Sequence, residues 1–588
     1  MTRTSVALNR AYRAESLRRA AAEEFDVVVI GGGITGVGAA LDAATRGLSV
    51  ALVEAQDFAA GTSSRSGKLI HGGLRYLEML DFSLVREALH ERRLLLTSLA
   101  PHLVKPVPFL FPLTHRLWER LYVGSGLLLY DAMGGSKVVP RARHLTRTQA
   151  LKLAPGLRPE SMIGAVQFYD AQEDDARLAL YVARTAAEYG AVLLTYTSAV
   201  GVLSAGGRIT GVRVLDHERG DEIEIRARHV VTAAGVWNDD IHSWVSGRQP
   251  ARVRPSKGIH VILPRRCIDS GTGLFVRTEK SILFVVPWGT DHWLIGDTDT
   301  DWPYDKREPA PTGADIDYLL SKLNAVLKNP VSRTDIVGVF AGLRPLVSAG
   351  EGTKTEKLSR EHVIYSAAPG LSMIAGGKYT TYRVMAKELI DVAAAHLGRP
   401  VPASCTERLP ILGAVGYEAR WKERAQLAEQ PGLAVSQVER LLNRYGSCID
   451  DLLALISRRP ELAAPVPGLG QHLGVEVAYA CSHEGALHLE DILVRRTRVA
   501  IETPDRGRGA AREVATIMAA ELGRDQDWID QELTQYTQRL EAEAAAEEKP
   551  DDRSANAARQ AGYGPSSWGR TPSQGAAAGA YTDTGVPQ

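Results

Sequence analysis

Cysteine is scarce in this chain: Cys267, Cys405, Cys448 and Cys481 are the only four in 588 residues, and they form no C-x-x-C pair. That argues against a disulfide framework, a redox dithiol or a zinc site, and a reducing compartment is the simplest setting. Net charge is absent too, since 69 basic side chains balance 69 acidic ones, so the overall charge gives no sign of nucleic-acid binding. No run approaches the roughly 18 to 20 apolar residues needed to cross a bilayer. Any membrane contact is therefore peripheral. The first 25 residues are Arg-rich, but Glu15, Glu23 and Glu24 interrupt them and no apolar secretory stretch follows. Residues 1–24 read as an N-terminal helical arm.

What is present is a globular composition, 45% hydrophobic and 23% charged, in a chain long enough for more than one domain. The stretch VVVIGGGITGVGAALDAATRGLSVALVE, residues 27–54, reads as buried strand, glycine turn, small-residue helix and second buried strand. Gly31, Gly33 and Gly36 stand in G-x-G-x-x-G register. The first permits the turn, the second lets backbone approach a pyrophosphate, and the third allows close packing of helix on strand. The helix from Ile34 aims free N–H groups and its positive dipole end at phosphate. Glu54, 18 residues after Gly36, can accept hydrogen bonds from ribose hydroxyls and would repel a 2′-phosphate. The motif predicts a dinucleotide site without separating NAD from FAD.

Strand patterns resume at 191–203, 208–216 and 222–235, the last reading as a return to the nucleotide-binding sheet. Between 250 and 350, KGIHVILP, SILFVVPWGTDHWLIGDTD and DIVGVFAGLRPL suggest a mainly antiparallel second layer, with a hairpin around the GTD turn. Residues 372–398 read as strand, glycine turn and helix. After Pro400 helical periodicity runs to about Tyr536, predicting a helical cap over 401–540. From Glu541 the chain is Ala, Glu, Gly, Ser and Gln with almost no large aliphatics, which predicts a disordered tail over 541–588.

Six ordered motifs carry a family resemblance: the glycine motif with its acid, TSSRSGKLIHGGLRYLE (62–78), VVTAAGVW (230–237), KGIHVILP (257–264), GLRPL (342–346) and GGKYTTYR (376–383). Over about residues 25–520 the chain resembles the FAD-dependent glycerol-3-phosphate dehydrogenase family of the aerobic, quinone-reducing type. The resemblance implies an α/β fold: a Rossmann-type, glutathione-reductase-like FAD-binding domain over 25–400, interleaved with an antiparallel-sheet substrate domain at 80–190 and 250–350, and the helical cap. It makes the cofactor FAD, held by Gly31, Gly33, Gly36 and Glu54, by Thr62, Ser63, Ser64, Lys68 and Leu69, by backbone near Val200 at the adenine, and by Gly235, Gly377 and Thr380. Arg65 departs from the small residues that the family often places between the serines and the lysine.

The implied substrate is sn-glycerol 3-phosphate, oxidised at C2 to dihydroxyacetone phosphate with electrons passed to a membrane quinone. Such chemistry needs a base for the hydroxyl, cations for the phosphate and donors for a developing alkoxide. His260 is the candidate base, because imidazole titrates near neutrality. Arg344 and Lys378 suit an anion, the guanidinium by its planar fork. Arg75 resembles a phosphate contact, Tyr76 closes the pocket, Arg360 is a further phosphate candidate, and His71 reads as a flavin neighbour. The competing readings are a core histidine and structural ion pairs. No metal is implied. Residues 116–130 and the basic stretch 494–512 invite a membrane-surface reading, against which a core helix and a solvated charged face are favoured. The resemblance implies a cytoplasmic enzyme peripheral on the inner face of the cell membrane and leaves a homodimer open. Rival readings are an oxygen-using oxidase on the same fold, an amine or amino-acid oxidase, and a non-catalytic flavin-binding protein.

Overall fold

The computed structural model describes residues 6–72, 82–115, 119, 138–246, 249–278, 282–296, 298–348, 362–429 and 432–562. The strand Glu24–Ile30 lies at the centre of an eight-stranded sheet, parallel to Val50–Val53 on one side and to Asp221–Thr232 on the other. Its valines are apolar without alternation because both faces are covered. Val27 and Val29 pack with Val37, Ala40 and Leu389 from the helices Ile34–Thr45 and Tyr382–Ala395. Val28 and Ile30 pack on the opposite side with Leu17 and Ala20 of the helix Arg10–Ala22. Val192–Leu194 and Leu371–Gly376 extend the sheet in parallel, and Thr197–Ala205 with Arg208–Asp216 form a hairpin on Asp221–Thr232.

A second sheet of ten strands is almost wholly antiparallel. Its longest pairing joins Arg252–Pro264 to Gly338–Ser348, with His260 opposite Phe340, Gly258 opposite Gly342 and Ser256 opposite Arg344. Side chains alternate between faces along a strand. Ile259, Val261 and Leu263 therefore turn outward, where they pack under Ile316, Leu319 and Leu323 of the helix Gly313–Asn324. Ser256, Gly258 and His260 turn the other way, toward the nucleotide layer. The strand pair is thus a wall with a greasy back and a polar front. The strands Ile282–Trp288 and His292–Gly296 form the hairpin read around GTD. The helix Asp175–Glu188 packs on Ile34–Thr45, so the chain has re-entered the nucleotide layer by Asp175.

The C-terminal region is helical, and its helices bury the apolar positions that the 3.6-residue period selects. In Val435–Tyr445 these are Val438, Leu441, Leu442 and Tyr445. Two expectations fail here. The tail read as disordered from Glu541 continues as helix in Gln526–Glu547, turns, and returns as Asp552–Ala561. It needs no large aliphatics, because Ala546 and Ala555 seat small side chains against Trp302 and Ala310 while ion pairs supply the rest. Residues 563–588 lie outside the described residues. Over its first half the basic stretch 494–512 is neither a membrane face nor a solvated one. Arg495, Arg496 and Arg498 are buried, the first two on Asp57 and the third on Asp174 and Asp175. Apart from Glu119, the stretch 116–130 lies outside the described residues.

Candidate active site

The two sheets face one another across a cavity of about 2140 Å³, about twice the upper end of the roughly 300–1,000 Å³ of an ordinary small-ligand pocket. One end is the glycine turn. Gly31 adopts φ +111°, and a Cβ there would lie 2.7 Å from the Ala233 carbonyl oxygen. A Cβ on Gly36 would enter the van der Waals shell of the Gly31 carbonyl oxygen, so Gly36 lets the helix close on the turn and does not itself line the cavity. Gly33 caps the helix N-terminus and does line it. Ser63 completes this corner by accepting a hydrogen bond from Ile34 N at 2.9 Å.

Glu54 lines the same end. Its carboxylate accepts from Gly32 N at 2.6 Å and Gln56 N at 2.9 Å, and burial raises its pKa against these bonds. Val200 lies on the wall beside it, near the bond at 2.6 Å between Ser198 and His217. Gly235, Gly377 and Thr380 also line the cavity. Thr380 accepts from His71 N at 3.2 Å, which ties the two segments into one wall. A large cavity lined by a glycine turn, a helix N-terminus and a carboxylate fits a dinucleotide cofactor.

Along the 62–69 segment the expected residues divide. Thr62, Ser63 and Leu69 line the cavity, although the Thr62 hydroxyl donates to Leu343 O at 2.7 Å. Ser64 and Lys68 do not line it. Lys68 is wholly buried, its ammonium donating to both Asp175 oxygens at 2.7 Å and to Ser64 O at 2.6 Å. Burial lowers its pKa to about 8, with Arg498 acting the same way and Asp175 opposing. The ammonium is thus bonded away from the cavity, which leaves only the backbone of Lys68 to face a cofactor. Lys68 works behind the wall, at a left-handed φ of +58°.

At the opposite end, His260 and Arg344 share the cavity face of the long strand pair. The imidazole stacks on Phe340 at 4.8 Å between ring centres, and its space exists because Gly296 has no side chain to fill it. Arg344 lies over Gly258 and donates to Thr298 O at 2.8 Å and to Ser256 Oγ at 3.4 Å. Lys378, beside the left-handed Gly376 and Gly377, lines the same cavity, as does His71. One base candidate and two cations thus line the same cavity as the glycine turn. Arg75, Tyr76 and Arg360 lie outside the described residues.

Sequence reasoning missed three features of the wall. Arg277 is a cation there, paired with Glu119, and no local pattern marks it. Asp170 is held on the wall by Arg92 at 2.5 Å. Arg65 lines the cavity with its guanidinium tied to Glu308 at 2.7 Å. Its departure from a small-residue run was the available signal.

Residues 26–383 match the family described as FAD dependent oxidoreductase, and residues 404–529 match that described as the C-terminal domain of alpha-glycerophosphate oxidase. A Mycobacterium bovis protein named glycerol-3-phosphate dehydrogenase 2 is 54% identical over 555 residues, covering 94% of each chain. The mouse mitochondrial glycerol-3-phosphate dehydrogenase is 35% identical, covering 86% of this chain and 71% of its own. The crystal structure of the glycerol-3-phosphate dehydrogenase from Bacillus halodurans complexed with FAD superposes with a TM-score of 0.75 at 27% identity, over 91% of this chain and 98% of that one.

Proposed function

Since the chain belongs to the FAD-dependent glycerol-3-phosphate dehydrogenase family, we propose that it oxidises sn-glycerol 3-phosphate to dihydroxyacetone phosphate and passes the two electrons to a quinone. The observation that carries this reading is the presence of both His260 and Arg344 on one face of the strand pair, lining the cavity that also holds the glycine cradle. Bound FAD supplies the two-electron acceptor. The chain's own residues supply position and proton transfer.

His260 removes the proton of the C2 hydroxyl, its ring plane fixed by Phe340 so that orientation costs little at the moment of reaction. Arg344 offers its fork to the oxygen on which charge develops or to the phosphate. Lys378 contributes a second positive charge. Binding energy from the phosphate, remote from the reacting carbon, is then available to hold C2 in register. Two or more cations around one small substrate suit a phosphate dianion better than the single carboxylate of an amino acid. A quinone acceptor calls for attachment at the inner face of the cell membrane. Among the described residues no helix is long and apolar enough to cross a membrane, and the arginines of 494–498 are consumed internally, so the segment to examine is 116–130.

Anaerobic mixing of the holoprotein with glycerol 3-phosphate should bleach the oxidised-flavin absorbance. No bleaching of flavin-loaded, folded protein overturns the substrate reading. Reoxidation by a quinone analogue without hydrogen peroxide supports the proposed acceptor, whereas stoichiometric peroxide in air assigns oxygen instead. His260→Ala should slow bleaching by roughly 10²–10⁴-fold and remove its dependence on pH near neutrality. An unchanged rate across pH removes His260 from that role.

A further inference from the structure

Arg65 sits in the cavity wall, yet its side chain is held from the far end of the chain. Its guanidinium donates to Glu308 Oε1 at 2.7 Å and to Arg307 O at 3.1 Å. The other oxygen of Glu308 accepts from Arg559 at 2.9 Å, with Arg539 at 3.7 Å. Arg559 also donates to Glu543 at 2.8 Å and to Arg539 O at 3.2 Å. These groups are nearly buried, with Arg559 2% and Glu308 10% exposed. The burial of Glu308 would raise its carboxyl, but Arg65, Arg539 and Arg559 more than offset this and lower it to about 2.

Around this relay the helical hairpin of Gln526–Glu547 and Asp552–Ala561 grips the whole 302–315 segment. Gly313 N donates to Lys549 O at 2.9 Å, Gln560 donates to Asp305 at 3.2 Å, and Lys257 is shared between Asp315 and Asp552. Ala546 and Ala555 close the apolar side against Trp302 and Ala310. Tyr304 to Arg307 themselves line the cavity, so the segment is pressed between the hairpin and the flavin-facing residues.

A small shift of Arg65 would act as a lever. Two residues before it, Ser63 accepts a hydrogen bond from Ile34 N at the start of the helix that faces the cavity; two residues after it, Gly67 lies near the His260 ring. The backbone at Arg65 also fits tightly over Gly342, where any side chain would collide with its carbonyl. We propose that the C-terminal helical hairpin positions the flavin-facing segment 62–67 through the relay Arg559, Glu308, Arg65. The hairpin is then part of the cofactor site at one remove, and Arg65, Glu308 and Arg559 are positioning residues.

The test uses full-length holoprotein carrying Arg559→Ala, Arg559→Lys, Arg65→Ala, or Arg65→Ala with Arg559→Ala. Two readouts are taken: the FAD dissociation constant, from the fluorescence of released flavin, and the visible circular dichroism of bound flavin. Arg559→Ala should weaken FAD about tenfold, or ~1.4 kcal/mol, and alter the dichroism, while Arg559→Lys restores most of both. In the Arg65→Ala background the same substitution should add less than about twofold, because a relay is non-additive. Unchanged affinity and dichroism overturn the proposal. So does a tenfold loss that persists undiminished without Arg65, which would make the pairing a contact for fold stability alone. If Arg559→Ala does not fold, Glu308→Gln keeps the side-chain shape and is judged in the same two backgrounds by the same criteria.

Discussion

The glycine end of the cavity and the arginine seam behind it hold the same cofactor-facing segments by opposite means. At the glycine end, side chains are removed so that backbone can approach backbone and ligand. Gly31, Gly33 and Gly36 act by lacking a Cβ, within six consecutive residues. In the seam, large charged side chains are brought in from different domains and buried in pairs. Asp57 receives Arg495 at 2.6 Å and Arg496 at 2.6 Å, and Arg498 reaches Ser64 O at 3.0 Å. The first device is local and intolerant of added volume; the second is long-range and intolerant of lost charge. Each can be broken in its own way.

The largest effect should come from adding volume at the glycine end. Gly36→Val places carbon into the Gly31 carbonyl oxygen, where only backbone could give way. The expected product carries no flavin absorbance and does not refold with added FAD, whereas Gly47→Ala, which meets backbone strain at φ +77° but open space, keeps its flavin. A flavin-loaded Gly36→Val protein would mean that the close packing of helix on turn is dispensable.

The next effect comes from removing charge in the seam. Asp57→Ala leaves Arg495 and Arg496 buried without their shared carboxylate. Breaking a buried pair by deleting one partner costs about 3–5 kcal/mol, because the orphaned charge stays in low dielectric. The urea midpoint should fall accordingly, and the loss should be largest in the transition of the C-terminal region. A loss below about 1 kcal/mol would show that the carboxylates already beside the arginines, Glu490 and Asp491 on Arg495 and Glu484 near Arg496, suffice to hold them.

The two regions also differ in how much of them the sequence discloses. The glycine motif is legible because its three requirements are local: a turn, an approach and a packing contact, all within one strand and helix. His260 and Arg344 were singled out by motifs that resemble a family, but their common face becomes visible only once the two long strands are paired in register. Only part of the seam was legible: Glu490 and Asp491 on Arg495 are local partners, but the carboxylates at 57, 174 and 175 that hold Arg495, Arg496 and Arg498 to the nucleotide layer are distant in sequence, and no local pattern announces them. The same holds for the tail. Ala and Glu after Glu541 read as low-complexity sequence, but the surface that accepts them is built by Trp302, Ala310 and Glu308 from the substrate layer. Lys68 shows the limit of a motif even where it is found. The segment lies where expected, and the lysine inside it points away because Asp175 outcompetes the cavity for its charge.

His488 offers the smallest and sharpest test of the seam, because its charge can be removed by pH. The imidazole bridges Glu532 at 2.8 Å on the long C-terminal helix and Glu218 at 2.9 Å on the hairpin turn of the nucleotide layer. Burial alone would lower its pKa, but Glu532 and Glu218 outweigh this and push it up to about 10. A group whose pKa is raised on folding stabilises fully below its unfolded value, near 6.5, and the contribution fades as pH rises through about 10. His488→Gln keeps one hydrogen bond and loses the charge, so it should be about 1.5–3 kcal/mol less stable at pH near 6. The urea midpoints of the two proteins should converge as pH approaches 10. Lys68 and Lys105, both lowered to about 8, titrate in the same window. They are common to both proteins, so the difference between midpoints isolates His488. A gap that stays constant from pH 6 to 10 would mean that the residue holds the two layers together by shape and neutral hydrogen bonds, and the seam would then owe less to charge at this joint than at Asp57.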